Sequence, residues 1–557
     1  LAEQVKWAGH PVLRDDLPSS IIRPYDAYSF TDVDRRPAFA YTSIKEWEDI
    51  TYKVVNYTKQ YVRSLNDVAL AEQEWEFLDK MRVCWRDKGF GSLVLREPIA
   101  MKDAEQAAWL RPFLVKKGLA YATWIQQQGA SVIRDLYWGA TVKLDRGKGA
   151  PYWMPRTDIE ATYALAKISL QSKNLDEMNS ILQAAGHAKL PMCLTSYARI
   201  QAGRKPSPRY VMSGGALYEE GERIGPKIRR IQALNFAWNF ALVGIANVMK
   251  YAMRGTSNRN DGTVTEAVRL CDTYKYCVAT DLSSYDETLS YETIDTWRKE
   301  VMEPCTKAMI RLGVITPRMA LKALEVVDYV QTVQLLSPPT DETEGARISD
   351  TYGTNKSGIQ VTSQIGTDCN DARNNAKFAT LGIVGSSTNS GDDTVIASDD
   401  PRFIDAWFNE DFNNHGFVET RAVDTSFLMK RIPQQYAYLG RMLLSSINKE
   451  VSHEPRDEFA AASGIAIRHG LLKGHPLQDV FYPALSLAGD RVRYAVSLAR
   501  STPVFDLMAV TAANVPKTYP ELADDTGDNI TAAMDAGIIS VQGASKLMDL
   551  LKQRVGR

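Results

Sequence analysis

The chain has 557 residues, 45% of them hydrophobic, with a formal net charge of -1. That length buries several cores and predicts two or three subdomains. The charge balance argues against a protein that coats nucleic acid nonspecifically, so any basic groove must be concentrated locally. Six cysteines without a C-x-x-C pair, and six dispersed histidines, argue against a structural zinc site or a disulfide framework and fit a reducing compartment.

Residues 1 to about 155 are rich in Trp and Tyr, punctuated by proline, and carry no repeat or motif. From Thr157 to Ala185 apolar residues recur at three and four, after a capping Thr157 or Asp158 and before Gly186, which predicts a helix. Arg204 to Ile231 gathers seven cations around Ser213-Gly214-Gly215. An extended Pro226 to Ile231 sends Lys227 and Arg229 to one face, where two cations can grip a triphosphate, or simply form a solvated charge run. Ala233 to Met253 is apolar but interrupted by Asn235, Asn239, Asn247 and Lys250, so it reads as a buried helix and not a membrane span.

Tyr276 to Asp281 is a short apolar run that ends on a carboxylate, and Asp286 follows five residues later. Such a strand delivers one aspartate to a metal and a second to a ligand hydroxyl, although Asp286 also suits a helix N-cap. Glu292 to Leu312 predicts a helix, and Met319 to Leu336 either a helix or a helix followed by a strand. In Thr351 to Ala376, the loop Lys356-Ser357-Gly358 feeds a helix in which Thr362, Gly366 and Asn370 share one face at a spacing of four. Gly366 there predicts close approach of another backbone or a ligand. Ser390-Gly391-Asp392-Asp393 predicts a hairpin tip bearing two carboxylates. The small polar run Gly385 to Ser390 before it predicts a short or irregular strand. Pro401 to His415 reads as helical, Gly416 to Val418 as the start of a strand, and Ser446 to Arg557 as a helical subdomain.

In order, a Lys-Ile-Arg-Arg segment, Asp-x4-Asp, Ser-Gly-x3-Thr-x3-Gly-x3-Asn and Gly-Asp-Asp resemble the F, A, B, C motif series of viral RNA-dependent RNA polymerases, over residues 223 to 431. The spacing of Thr362, Gly366 and Asn370 is most similar to polymerases of small double-stranded-RNA viruses, the picobirnavirus and partitivirus type. The resemblance implies an α+β right-hand fold of fingers, antiparallel palm and helical thumb, closed by finger extensions drawn from the N-terminal region. The implied division is 1-264 N-terminal region and fingers, 265-292 and 351-445 palm, 293-350 fingers insert, and 446-557 thumb.

It also implies RNA-templated RNA synthesis for replication and transcription, by two-metal nucleotidyl transfer. Asp281, Asp392 and Asp393 would hold Mg²⁺, with Mn²⁺ as a substitute, because hard cations take oxygen ligands. Lys227, Arg229 and Arg230 would clamp the triphosphate, while Asp286, Ser357, Gly358, Thr362 and Asn370 would line the nucleotide. Template and product RNA, nucleoside triphosphates and a viral capsid protein are the implied partners, with no membrane span, in a virion interior or host cytoplasm. Relatives place a lysine after Gly-Asp-Asp as general acid, whereas no lysine occurs here from Thr394 to Met429. His415, Arg421 and Lys430 remain as candidates, and His415 suits donation at neutral pH. A reverse transcriptase and a nonenzymatic capsid or RNA-packaging protein stand as alternatives.

Overall fold

A computed structural model describes residues 103–140, 159–185, 194–205, 210–213, 216–219, 223–256, 264–337, 347–421 and helical portions of 478–555. The chain divides into two compact units. One holds Arg96–Tyr197 and Arg230–Met429, and the other holds Ala198–Arg229 and Lys430–Arg557.

The first unit is α+β. It opens on α1 (Ala104–Gln128), whose N-cap Asp103 accepts from the backbone N–H of Gln106 at 2.9 Å. After α2 (Ala130–Trp138), the stretch expected as one helix from Thr157 to Ala185 forms two, α3 (Ile159–Gln171) and α4 (Leu175–Ala185). The break has a local cause: Asn174 accepts from the N–H of Glu177 at 2.8 Å, an N-cap that starts a new helix. Strand β1 (Leu194–Lys205) runs from the first unit into the second, where β2 (Tyr210–Ser213) and β3 (Ala216–Glu219) make a hairpin; β4 (Arg223–Ala233) leads back into the first.

Helix α5 (Phe236–Gly255) fills the position read as a buried apolar helix, with Trp238, Leu242, Ile245 and Met249 fully enclosed. Among the described residues no helix is long and apolar enough to cross a membrane. After α6 (Val264–Thr273) come β5 (Tyr276–Leu282), the short α7 (Tyr285–Thr288) and α8 (Tyr291–Trp297). A π-helical turn, Arg298–Met302, joins α8 to α9 (Glu303–Arg311). Helix α10 (Pro317–Val330) is followed by strand β6 (Leu335–Ser337), the second of the two readings of that stretch. Strand β6 runs parallel to β1 and antiparallel to β7 (Arg347–Ser349).

Helix α11 (Thr362–Leu381) leads to β8 (Gly385–Ser390) and β9 (Asp393–Ser398), then α12 (Phe403–Trp407) and β10 (Glu419–Arg421). The four strands form a sheet in the order β10-β5-β9-β8, every neighbour antiparallel. Val278 and Ile396 meet Phe378 of α11 with Phe403 and Trp407 of α12, while Ala279, Val395 and Ala397 meet Leu270 of α6. The two faces thus follow the period-two alternation of the strands.

Three local expectations change. Strand β8 is a regular six-residue ladder, not an irregular one, and the amide of its Asn389 donates to the carbonyl of Thr367 at 3.0 Å. The segment 401–415 is helical only over α12. Beyond it Asn409 and Asn413 accept from the N–H of Asp411 and His415, and such side-chain turns outcompete the helix. The strand expected at Gly416 begins at Glu419, after left-handed backbone at His415 and Gly416.

In the second unit the described parts beyond residue 446 include α13 (Gln478–Leu485), α14 (Val504–Asn514) and α15 (Val541–Val555), in line with the helical reading. The N-terminal 102 residues lie outside the described part, as does Lys430.

Candidate active site

The β8–β9 ladder closes on the pair Ser390↔Asp393, leaving Gly391 and Asp392 as a two-residue turn. Gly391 has φ 60° and Asp392 no positive φ, the pattern of a type II′ hairpin turn, which favours glycine at its first central position. Next to it, the β5–β9 ladder ends on Thr280↔Thr394. The ladder stops there, and carrying its register one step further places Asp281 opposite Asp393. Both lie on the face of Ala279 and Val395, since side chains alternate along each strand. Asp281 is also flanked on its other side by Thr420 of β10.

Two carboxylates from different strands, with a third in the adjoining turn, suit a hard divalent cation. Magnesium is held by one or two carboxylates together with substrate phosphates, so a complete protein cage is not required. Among the described residues no group of three or more His, Cys, Asp or Glu is gathered into such a cage.

Helix α11 holds the turn from beneath. The side-chain amide of Asn370 donates to the Gly391 carbonyl and to the Thr394 hydroxyl, each at 2.7 Å, and Thr394 donates to the Asp392 carbonyl at 3.1 Å. The Gly391 N–H in turn donates to the Thr367 hydroxyl at 3.1 Å. Asn370 is fully buried and both its amide protons go to protein acceptors, so in this arrangement it presents none to a ribose.

The loop before α11 is anchored at both ends. Gly353 and Thr354 are both left-handed, a costly conformation for a β-branched residue. The reversal aims Asn355 at Asp286: its N–H donates to the Asp286 carbonyl at 2.7 Å, and its amide to the Asp286 carboxylate at 3.1 Å. Lys356 is fully buried and donates to the carbonyls of Gln331 and Gly353; burial pushes its ammonium down to about 7. Ser357 accepts from the Gln232 N–H at 2.9 Å, and the Gly358 carbonyl accepts from Asn239 at 2.8 Å. Thr362 donates to the Lys356 carbonyl. Ser357, Gly358 and Thr362 are thus brought together as the joints of this loop.

The glycines of the motif differ in what they permit. A Cβ on Gly358 would stand 1.7 Å from the carbonyl oxygen of Gln232, whereas on Gly366 the nearest heavy atoms are 3.6 Å away. The close approach expected at Gly366 is therefore an ordinary contact, and the true one is at Gly358. Gly358→Ala is expected to lower the unfolding free energy by about 3 kcal/mol by forcing the loop off β4. Gly366→Ala should leave stability unchanged or raise it by about 0.5–1 kcal/mol, since alanine favours a helix interior. Thermal unfolding of the two variants checks the contrast.

The remaining candidates lie apart or beyond description. His415 stacks against Trp109, ring centroids 4.7 Å apart, and Trp109 donates to Thr380 at 3.1 Å. Thr380 is thirteen residues along α11 from Thr367, about 20 Å at 1.5 Å per residue, so His415 is not brought to the carboxylate turn. Lys227, Arg229 and Arg230 lie on β4, with side chains outside the described residues; the same holds for Arg421.

Sequence reasoning passed over the charged residues inside α11. Arg373 and Lys377 are buried with Glu419 of β10, and Asp368 and Asp371 with Lys117 of α1. Burial pushes the Glu419 carboxyl up, but Arg373 and Lys377 together pull it down to about 2. Burial raises Asp368 to about 6, although Lys117, Tyr121 and Trp297 all favour its ionised form. Their one visible signal was a helix of low hydropathy that carries acidic residues on one side, Asp368 and Asp371, and basic ones on the other, Arg373 and Lys377.

No protein-family profile matches the chain, and no curated protein matches it. Among solved structures it is similar to the RNA-dependent RNA polymerase of bacteriophage phi12, at 13% identity and a TM-score of 0.44, over 82% of this chain and 76% of that one. It is also similar to the sicinivirus 3Dpol RNA-dependent RNA polymerase, at 10% identity and a TM-score of 0.42, over 77% of this chain and 89% of that one.

Proposed function

We propose that this chain is an RNA-directed RNA polymerase of the right-hand fold. The observation that carries the reading is the β5–β9 register, which ends on Thr280↔Thr394, one step short of Asp281 and Asp393, beside a glycine turn bearing Asp392. In this reading Asp281, Asp392 and Asp393 hold Mg²⁺, or Mn²⁺ in its place. The bound ions supply charge neutralisation for the attacking 3′ oxygen and the leaving pyrophosphate. The chain's own work is to aim these carboxylates, and α11 does so through Asn370 and Thr367. Lys227, Arg229 and Arg230 on β4 supply the triphosphate clamp, Arg as a planar fork and Lys as a point charge.

Asp286 is the proposed reader of the ribose 2′-hydroxyl, oriented by Asn355. A site built around a hydroxyl loses a hydrogen-bond partner when the hydroxyl is missing, and this is the source of discrimination. Asp286→Ala is therefore expected to narrow the preference for ribonucleotides over deoxyribonucleotides by about tenfold or more on an RNA template. An equal loss for both substrates would assign Asp286 another task. Preferential incorporation of labelled ribonucleotide by the parent supports the polymerase reading. Preference for deoxyribonucleotide would make it a reverse transcriptase, and no incorporation of either a binding protein.

The spacing of Thr362, Gly366 and Asn370 supports placing the chain with polymerases of small double-stranded-RNA viruses, of the picobirnavirus and partitivirus type. There it would replicate and transcribe the genome in a virion or the host cytoplasm, beside a capsid protein.

A further inference from the structure

Glu419 and Arg373 are not part of the carboxylate turn, yet the hydrogen bonds that brace it begin with them. The Glu419 carboxylate accepts from both terminal nitrogens of Arg373, at 2.6 and 3.2 Å, from Lys377 at 2.9 Å and from Trp407 at 2.8 Å. Arg373 and Glu419 are enclosed, their side chains 0% and 1% exposed. The remaining bonds of Arg373 stay within α11: Nε donates back one turn to Oδ1 of Asn370 at 3.1 Å, and Nη2 to Asn374 at 2.7 Å.

That bond and the acceptor at Gly391 together fix which way Asn370 faces. The two ends of a carboxamide have nearly the same shape but opposite hydrogen-bonding character. With Oδ1 held by Arg373, the amino group must point at the Gly391 carbonyl and the Thr394 hydroxyl, where it is found. Turned over, the amide would set its own oxygen against the carbonyl of Gly391. Glu419 also ties this orientation to the second strand of the site, because its neighbour Thr420 pairs with Asp281.

Resting on the polymerase reading above, we propose that Arg373 and Glu419 are positioning residues: they orient Asn370, and through it set the Gly391-Asp392 turn against Asp281. Neither touches substrate. A carboxylate, a guanidinium and an amide hydrogen-bonded in series form a buried network, which holds one geometry against alternatives.

A double-mutant cycle on the full chain tests this, with Arg373→Met, Asn370→Ala and the pair together. Two quantities are read: single-turnover ribonucleotide incorporation, and Mn²⁺ binding by electron paramagnetic resonance, which needs no synthesis. Arg373→Met is expected to slow incorporation by about 10²-fold through misplacement of the turn. It should also weaken Mn²⁺ binding by about tenfold, as loss of a supporting partner does at a metal site. In the Asn370→Ala background the same substitution should change neither quantity further, because the residue it acts through is gone. Additive effects would overturn the proposal.

Single substitutions here leave buried charges, so a second variant guards against failure to fold. Arg373→Met/Lys377→Met/Glu419→Leu removes the whole charged cluster, a replacement that buried ion networks tolerate. It should melt like the parent and still incorporate slowly; a triple variant with parental incorporation would overturn the proposal. A parent that binds Mn²⁺ and shows the coupling but incorporates no nucleotide would instead refute the polymerase reading alone.

Discussion

Asp392→Asn is expected to lower RNA-templated incorporation by about 10³-fold or more while leaving RNA binding within about twofold. The substitution keeps the shape of the side chain and removes its charge. Two-metal phosphoryl transfer depends on neutralising charge at the attacking and leaving oxygens, and about 4 kcal/mol of lost transition-state stabilisation corresponds to that factor. Because the turn is braced by backbone contacts at Gly391 and the Asp392 carbonyl, the amide has no reason to unfold it. Primer extension or de novo synthesis assays, paired with equilibrium RNA binding, measure both quantities. Near-parental incorporation would remove Asp392 from the chemistry, and a parallel loss of RNA binding would point to a structural defect.

The largest effect on stability is expected at Glu419. Glu419→Ala strands two cations, Arg373 and Lys377, in a region that excludes solvent, and breaking a buried pair from one side costs about 3–5 kcal/mol. The same carboxylate sets an acid limit. Its folded pKa is about 2, below the ordinary 4.5, so its contribution is fully present above about pH 4.5 and is lost as pH falls toward 2. Asp368 acts in the opposite sense. Its folded pKa is raised from 3.8 to about 6, so its contribution is present below about pH 4 and is lost as pH rises through 6. Denaturant unfolding across pH 2 to 8 should show the acid-side slope diminished in Glu419→Ala and the slope between pH 4 and 6 diminished in Asp368→Asn. Unchanged slopes would show that these groups titrate alike in the folded and unfolded chain.

Local chemistry made part of this molecule readable from residues alone. The apolar run Tyr276 to Asp281, the glycine-led Asp392-Asp393 and the helix carrying Thr362, Gly366 and Asn370 each signal their element through nearest neighbours, by alternation, turn preference or period. The buried helix Phe236–Gly255 was legible for the same reason, as was the helix that begins at Pro317, while the strand after it, Leu335–Ser337, was one of two open readings. Strand pairing was not. That Asp281 comes to lie beside Asp393 and next to Thr420 depends on registers across 112 and 139 residues, which no local pattern specifies.

Tertiary structure alone also decided what the polar groups do. From the sequence Asn370 is an amide on a helix face; only its burial among Arg373, Gly391 and Thr394 turns it into a brace. From the sequence Gly366 is the glycine expected to allow close approach, but it is the approach of Gln232 that makes Gly358 the one without room. Arg373, Lys377 and Glu419 are ordinary charges until folding removes water from all three at once, after which each requires the others. His415 sits close to the turn in sequence, yet its stacking on Trp109 carries it toward the far end of α11. The residue types and their order determined which chemistry was available, and burial, register and the direction of each hydrogen bond decided which groups are in place to perform it.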